Sequence, residues 1–111
     1  PTWIIENVKQ IGPYLLNELK NALADHIYIA EIRGEGLLAA IEFAEDKKSL
    51  KFFDPSKKIG PQIAAMLLKE GVIGRAMPQG DILGFAPPLC LSKKEADIIV
   101  NKCKKIISEF F

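Results

Sequence analysis

The sequence predicts an α+β fold in which three helices cover a small, mainly antiparallel sheet. Apolar residues recur at helical spacing in three segments, and pairs of short apolar runs separate these segments. The order helix, two strands, helix, two strands, helix is typical of helices packed on one face of an antiparallel sheet. No linker or repeat divides the chain, so we expect residues 1–111 to form one domain.

The first helix is predicted to run from the start of the sequence to about residues 24–26. Its apolar stripe consists of Ile5, Val8, Leu15, Leu19 and Leu23. Pro13 lies inside this pattern and cannot donate a backbone hydrogen bond to the preceding turn. We therefore expect a kink or a new helix start near residues 9–13.

The first two strands are predicted to form a hairpin. Ile27–Arg33 is rich in β-branched residues, and Leu37–Phe43 is mainly apolar. Between them, Arg33–Gly36 contains two glycines that can adopt the positive φ angles of a tight reversal. A phosphate-binding loop is the alternative, but a helix rather than a strand would then follow the glycines.

The remaining elements are predicted from caps and turns. A polar loop over residues 45–58 contains Phe52 and Phe53, which need packing partners. A second helix over Ile59–Glu70 ends before Gly71, a residue suited to a left-handed cap. Short strands over Val72–Arg75 and Ile82–Phe85 are expected on either side of a turn at residues 77–81.

A capping box predicts where the last helix begins. Ser92 and Glu95 have the required spacing, and an apolar stripe follows them. The expected core face contains Ala96, Ile99, Val100, Cys103, Ile106, Ile107 and Phe110.

Composition argues against several classes of protein. Fifteen Lys and Arg residues against fourteen Asp and Glu residues give a net charge of +1, whereas nucleic-acid binding is driven by a basic face. No apolar run approaches the roughly 20 residues that span a bilayer, and the first residues do not resemble a signal peptide. The chain has two cysteines, Cys90 and Cys103, and one histidine, His26, which are too few ligands for a zinc site. Two cysteines are also too few for a disulfide framework, so we expect a cytoplasmic protein.

No catalytic constellation is visible among the candidate residues. His26 has no partner at the spacing of an acid–base pair, so we expect it to be structural. Cys90 has no basic neighbour that would lower the pKa of its thiol, and we expect it to be packed. Arg75 lies at a strand end beside a loop, where its guanidinium can bind a carboxylate. The alternative for Arg75 is an exposed ion pair with Asp81 across the turn.

Three segments resemble the class III aminotransferases, which depend on pyridoxal 5′-phosphate. Ala30–Glu42 is similar to the "RGkGL" hairpin of the family, Lys69–Ile73 to its "eeGvi" step, and Phe85–Ser92 to its "faPPLiit" signature. The segments occur in family order over nearly the whole chain. The resemblance implies the C-terminal small domain of a fold-type I pyridoxal-phosphate enzyme, preceded by a large domain that carries the Schiff-base lysine.

The resemblance also implies a reaction and a substrate-binding residue. Gly71–Arg75, followed by a loop and two prolines, resembles the ω-amino-acid:pyruvate subgroup. There the arginine at the position of Arg75 pairs with a substrate carboxylate and swings out when an apolar substituent enters. Gly84 occupies the position at which ornithine-type members have an arginine. The implied reaction transfers an amino group from an amine or ω-amino acid to a keto acid such as pyruvate.

The partners implied by the resemblance are the large domain of the same chain and a second subunit of a homodimer. The small domain would close the active site, and this chain alone would be inactive, with no catalytic, cofactor-binding or metal-binding residue of its own. Trp3, Phe52 and Phe53 would be covered by the large domain or the second subunit. The alternative is a free-standing α+β binding module, which would be a stable monomer without a large apolar patch.

Overall fold

The computed structural model of the protein describes residues 2–77 and 81–111. Its elements are α1 (Thr2–Leu23), β1 (Ile29–Glu35), β2 (Leu38–Phe43), a 3₁₀ turn (Pro55–Lys57), α2 (Ile59–Lys69), β3 (Arg75–Ala76), β4 (Ile82–Phe85) and α3 (Lys93–Phe110). The strands form one sheet in the order β1-β2-β4-β3, and each neighbouring pair is antiparallel. The predicted α+β fold is therefore confirmed. Residues 78–80 of the predicted turn lie outside the described residues.

The sheet has one covered face and one open face. Ala39 and Ile41 of β2 are buried with Leu83 and Phe85 of β4, against apolar side chains from all three helices. Residues at the alternate positions point to the other side, because successive side chains of a strand point to opposite faces. The open face therefore contains the side chain of Ala40 and the position of Gly84.

Helix α1 is continuous, so of the two alternatives expected near residues 9–13, a kink or a new helix start, the new start is wrong. Pro13 is exposed within it, while Ile11 and Leu15 on either side are buried. A proline inside a helix costs about 3 kcal/mol, and burial of apolar side chains on both sides of Pro13 offsets this cost. Gly12 has a separate role, because a Cβ there would lie 2.2 Å from the backbone oxygen of Gly36. The helix therefore packs directly on the hairpin turn.

The hairpin is confirmed, but its turn lies further along the chain than predicted. Strand β1 includes Gly34 and ends at Glu35, which pairs with Leu38. The reversal consists of Gly36 and Leu37, and Gly36 has a φ of 59°. A two-residue loop of this kind needs glycine at its first position, so one glycine suffices. A Cβ on Gly34 would lie 2.7 Å from the backbone oxygen of Leu38, which explains the second glycine.

The predicted strand over Val72–Arg75 is shorter in the structure and covers only β3. The amide of Val72 donates to the oxygen of Leu67 and closes the end of α2, so it does not pair with a strand. Gly71 has a φ of 82°, as predicted for a left-handed cap. The sheet therefore gains its fourth strand only from Arg75 onward.

The remaining predictions concern the polar loop and the last helix. Phe53 is buried against Tyr28 and Phe111 of this chain, so the expectation that the large domain or the second subunit covers Phe53 is wrong. Phe52 is half-exposed. The capping box of Ser92 and Glu95 is present and begins α3 as predicted. The buried residues of α3 are Ala96, Val100, Cys103, Ile106 and Ile107.

Gly12→Ala is expected to destabilise the chain by about 2 kcal/mol, because the new methyl group meets a backbone oxygen that cannot rotate away. Gly60→Ala in α2 is the matched control, since its Cβ would lie 3.5 Å from Ala76, an ordinary contact. The control should be neutral or slightly stabilising, by up to about 1 kcal/mol. Urea denaturation measures both changes, and equal stability of the two variants would contradict the close packing of α1 on the turn.

Candidate functional site on the open face

A row of four residues crosses the open face of the sheet from edge to edge. The register places Arg33 beside Ala40, Ala40 beside Gly84, and Gly84 beside Arg75. Adjacent strands lie about 4.8 Å apart, so the Cα atoms of the two arginines are separated by roughly 14 Å. The two central residues have minimal side chains. The row therefore forms a trough with a guanidinium group at each end.

This trough belongs to a groove of ≈ 690 Å³. The groove is lined by Arg33, Gly34, Glu35, Leu38, Ala39, Ala40, Ile73, Arg75, Met77, Gly84, Phe85 and Ala86. Most of these residues are apolar, and the charged ones come from β1 and β3. Concave apolar surfaces with a few charged groups are the usual form of small-molecule sites. The open face is therefore the candidate site.

Arg75 is exposed at the edge of this groove. Within residues 2–77 and 81–111, no carboxylate lies within ion-pair distance of its guanidinium. Asp81, the alternative partner from the sequence, is buried, and its Oδ1 accepts a hydrogen bond from the amide of Gly60 at 3.4 Å. That contact lies at the start of α2, where the helix dipole favours a carboxylate. The alternative for Arg75, an exposed ion pair with Asp81, is therefore wrong.

Arg33 differs from Arg75 because it already has a partner. Its Nη1 lies 3.7 Å from Oε2 of Glu31, and both side chains are substantially exposed. An exposed pair of this kind contributes little to stability, but it partly neutralises the guanidinium. Arg75 is therefore the arginine of the row whose charge is available to a bound carboxylate.

Helix α1 forms hydrogen bonds with the proline-containing segment that follows β4 and borders the groove. Nδ2 of Asn7 donates hydrogen bonds to the backbone oxygens of Leu89 at 2.8 Å and Leu91 at 3.0 Å. These bonds satisfy two carbonyl groups after the consecutive prolines Pro87 and Pro88, where the chain makes no regular ladder. The Asn7 contact fixes the segment that follows β4.

His26 lies in the connection between α1 and β1, outside the groove. Its Nδ1 accepts a hydrogen bond from the amide of Tyr28 at 3.1 Å, and its ring packs against Tyr28 and Phe111. Burial and the nearby ammonium group of Lys47 lower the pKa of His26. The contacts agree with the expected structural role.

The two cysteines do not form a site. Cys103 is buried in the core, and burial raises the pKa of its thiol to about 12. Cys90 is exposed, so the prediction that it is packed is wrong. It follows the prolines in a turn at the surface. Across the part of the chain that the structure describes, no group of three potential metal ligands is found.

Comparison with known proteins identifies the family. The family model described as "Aminotransferase class-III" matches residues 2–107. The chain belongs to the class III aminotransferases. It is 46% identical over 103 residues to a diaminobutyrate–2-oxoglutarate transaminase of Halomonas elongata, a match that covers 93% of this chain and 22% of the relative.

Solved structures support this membership. One of them is a transaminase from a study of directed evolution by ancestral reconstruction, with a TM-score of 0.92 and 43% identity. This match covers 96% of this chain and 23% of that chain. A thermostable (S)-enantioselective omega-transaminase from Thermomicrobium roseum has a TM-score of 0.88 and 36% identity, with coverage of 97% and 24%. This class III aminotransferase chain thus spans less than a quarter of the length of these relatives. No described helix meets the length and hydropathy needed to cross a membrane.

Of the four residues in the row on the open face, only Arg75 could be predicted as a binding residue from the sequence. Its residue type and its place at a strand end indicated this role, whereas Ala40 and Gly84 were not predicted as parts of a site. Their signal is their small size at facing positions of β2 and β4, and it becomes visible only with the strand register. Gly84 did stand out as a difference from ornithine-type aminotransferases.

The lowered pKa of His26 predicts that the folded chain loses stability as the pH falls below about 6.5. The pKa of His26 is lower in the folded chain than in the unfolded chain. As the pH falls, His26 therefore binds a proton first in the unfolded chain, which stabilises the unfolded state. Above this pH, His26 is neutral in both states. His26→Gln cannot titrate and should lose less stability between about pH 7.5 and pH 5. Thermal unfolding at several pH values measures the difference. Identical pH profiles for the two proteins would contradict the lowered pKa.

Proposed function

We propose that residues 1–111 are the C-terminal small domain of a pyridoxal-phosphate-dependent aminotransferase. The enzyme transfers an amino group from an amine or ω-amino acid to a keto acid such as pyruvate. The observation that carries this proposal is Arg75, whose exposed guanidinium has no carboxylate partner among the described residues and borders the apolar groove of the open face. The substrates of such an enzyme all bear an amino or keto group, and many of them also bear a carboxylate that a guanidinium can bind.

Arg75 binds and orients the substrate carboxylate. A guanidinium presents a planar pair of N–H donors that matches the two oxygens of a carboxylate. The apolar lining of the groove strengthens this ion pair once the site is closed and water is excluded. The short side chain of Ala40 leaves space above β2 for the carbon chain of the substrate. The small domain therefore supplies orientation rather than proton transfer.

The cofactor is bound mainly by the large domain in this proposal. Among residues 2–77 and 81–111 no lysine lines the groove, so no described side chain there could form the Schiff base. The half-buried Lys47 and Lys102 donate to backbone oxygens instead. Pyridoxal phosphate supplies the electron sink of the reaction when bound. The residues described here neither hold the cofactor nor move a proton.

The partners in this proposal are the large domain of the same chain and a second subunit of a homodimer. The match to less than a quarter of each relative supports a missing large domain. Trp3 and Phe52 are about half-exposed, which suits side chains that are covered in the complete enzyme. Two free cysteines suit a cytoplasmic protein. The small domain closes over the active site.

A second candidate acceptor is 2-oxoglutarate, which the Halomonas elongata relative uses as a diaminobutyrate–2-oxoglutarate transaminase. Pyruvate is favoured by the sequence from Gly71 to Arg75, which resembles the ω-amino-acid:pyruvate subgroup. An assay of the full-length enzyme with each keto acid separates the two. The alternative is the free-standing binding module, which would have the mass of residues 1–111, show no pyridoxal band and transfer no amino group.

Arg75→Ala in the full-length enzyme is expected to lower kcat/KM for 4-aminobutyrate about 100-fold, since the carboxylate loses a charge-assisted pair of hydrogen bonds. The value for 4-methylpentylamine, which has an isopropyl group in place of the carboxylate, should change less than about threefold. Arg33→Ala is the matched control at the other end of the row, and it should change neither value by more than about threefold.

The same preparation tests the cofactor and the chain. An absorbance scan between about 300 and 500 nm should show a pyridoxal band, and the intact mass should be several times that of residues 1–111. An absent band together with no amino transfer to pyruvate or 2-oxoglutarate would contradict the proposed function. Equal losses for Arg75→Ala and Arg33→Ala would contradict the role of Arg75.

A further inference from the structure

Asp81, the residue before β4, carries a buried carboxylate. It is 6% exposed, and no other charged side chain among residues 2–77 and 81–111 is buried. Burial of a carboxylate is unfavourable unless hydrogen bonds or an opposite partial charge compensate for the lost water. The surroundings of Asp81 must therefore supply such a partner.

The partner of Asp81 is the first turn of α2. Its Oδ1 accepts a hydrogen bond from the amide of Gly60 at 3.4 Å. Helix α2 has no side-chain cap of its own, since Lys58 at its N-cap position offers no acceptor and its first turn contains no acidic residue. The free amides at the start of a helix carry a partial positive charge, which a carboxylate stabilises. Asp81 therefore caps α2 from another part of the chain.

The backbone of Asp81 binds the sheet at the same time. Its carbonyl oxygen accepts a hydrogen bond from the amide of Phe43 at 2.8 Å, which continues the pairing of β2 with β4 beyond Ile82. The oxygen of Ile82 accepts a hydrogen bond from the amide of Met77, also at 2.8 Å. Asp81 thus connects the end of β2, the start of β4 and the start of α2.

The start of α2 lies behind Arg75, on the covered side of the sheet. Arg75 pairs with Gly84 and lines the groove of the open face, so the next residue, Ala76, points to the opposite face. There Ala76 packs on α2, because a Cβ on Gly60 would lie 3.5 Å from Cβ of Ala76. The same turn that Asp81 caps therefore supports the strand that carries Arg75.

Strand β3 depends on this support because it is short. It consists of two residues, Arg75 and Ala76, at the edge of the sheet, and it pairs only with β4. A segment held by few backbone hydrogen bonds and few buried contacts opens easily. The position of the Arg75 guanidinium therefore depends on how firmly β3 rests on α2.

We propose that Asp81 is a positioning residue for the substrate-binding Arg75. It holds the first turn of α2 behind β3 and thereby fixes the place at which the guanidinium meets the substrate carboxylate. This inference rests on the proposed function, and it adds a residue that does not line the groove and acts only through Arg75. Such an effect is measurable, because a displacement of about 1 Å at a binding group can lower a rate about 100-fold.

The test measures kcat and KM of the full-length enzyme with 4-aminobutyrate and with 4-methylpentylamine. Asp81→Ala should lower kcat/KM for 4-aminobutyrate about tenfold, mainly through a higher KM, because the substrate carboxylate meets a displaced guanidinium. The value for 4-methylpentylamine should change less than about threefold, since this amine has no carboxylate for Arg75 to bind. Asp81→Asn keeps an oxygen that can accept from Gly60, so it should stay within about twofold of the wild type for both amines.

A second comparison separates positioning from a general loss of stability. In the Arg75→Ala background, Asp81→Ala should change kcat/KM for 4-aminobutyrate less than about twofold, because no guanidinium remains to be positioned. Ser92→Ala is the matched control, since it removes the side-chain cap of α3 outside the groove. It should lower the midpoint of thermal unfolding, as Asp81→Ala does, but leave kcat/KM for both amines within about twofold.

A milder variant keeps the test available if Asp81→Ala does not fold. The hydroxyl of Asp81→Ser is closer to the backbone than the carboxylate oxygens, so the start of α2 must shift to reach it. Asp81→Ser should therefore show the same selective loss with 4-aminobutyrate, of about fivefold.

The outcomes separate this inference from the proposed function. A wild-type enzyme that transfers no amino group, or an Arg75→Ala variant without a selective loss, contradicts both. A selective loss in Arg75→Ala, with equal losses for both amines or no loss in the folded Asp81 variant, contradicts the inference alone. A further large loss from Asp81→Ala in the Arg75→Ala background, or a loss in Asp81→Asn as large as in Asp81→Ala, also contradicts the inference alone.

Discussion

The pairing of Ala40 with Gly84 in the antiparallel register of β2 and β4 is the constraint on which the open face depends. It fixes Arg33 and Arg75 at the two ends of one row, because each pairs with a member of this central couple. The same register buries Ile41 with Leu83 on the opposite face. A slip by one residue would exchange the two faces of a strand, so burial of the core and placement of the groove are inseparable.

Helix α1 contacts two segments that flank the paired strands β2 and β4. Gly12 packs on the oxygen of Gly36 at the hairpin turn, while Asn7 binds the carbonyl groups that follow the two prolines. One rigid helix therefore positions the end of the β1–β2 hairpin and the segment after β4. Both contribute residues to the groove, which suits a site that must orient a small molecule to within a fraction of an ångström.

Features set by local chemistry could be predicted from the sequence, and features set by distant contacts could not. The capping box at Ser92 and the left-handed cap at Gly71 depend on neighbouring residues, and both are confirmed. The turn position is wrong by two residues because contacts of Gly34 with β2 and of Gly36 with α1 decide which glycine reverses the chain. Arg75 could be singled out from its chemistry, whereas Ala40 and Gly84 become part of the site only through the pairing of β2 with β4, which no spacing in the sequence reveals.

The most direct measurement is a crystal structure of the full-length class III aminotransferase with 4-aminobutyrate bound. A substrate-binding role for Arg75 predicts its guanidinium within about 4 Å of the substrate carboxylate, with the open face of the sheet turned toward the cofactor domain. A carboxylate bound by another cation, with Arg75 directed into solvent and the open face away from the cofactor, would contradict this role.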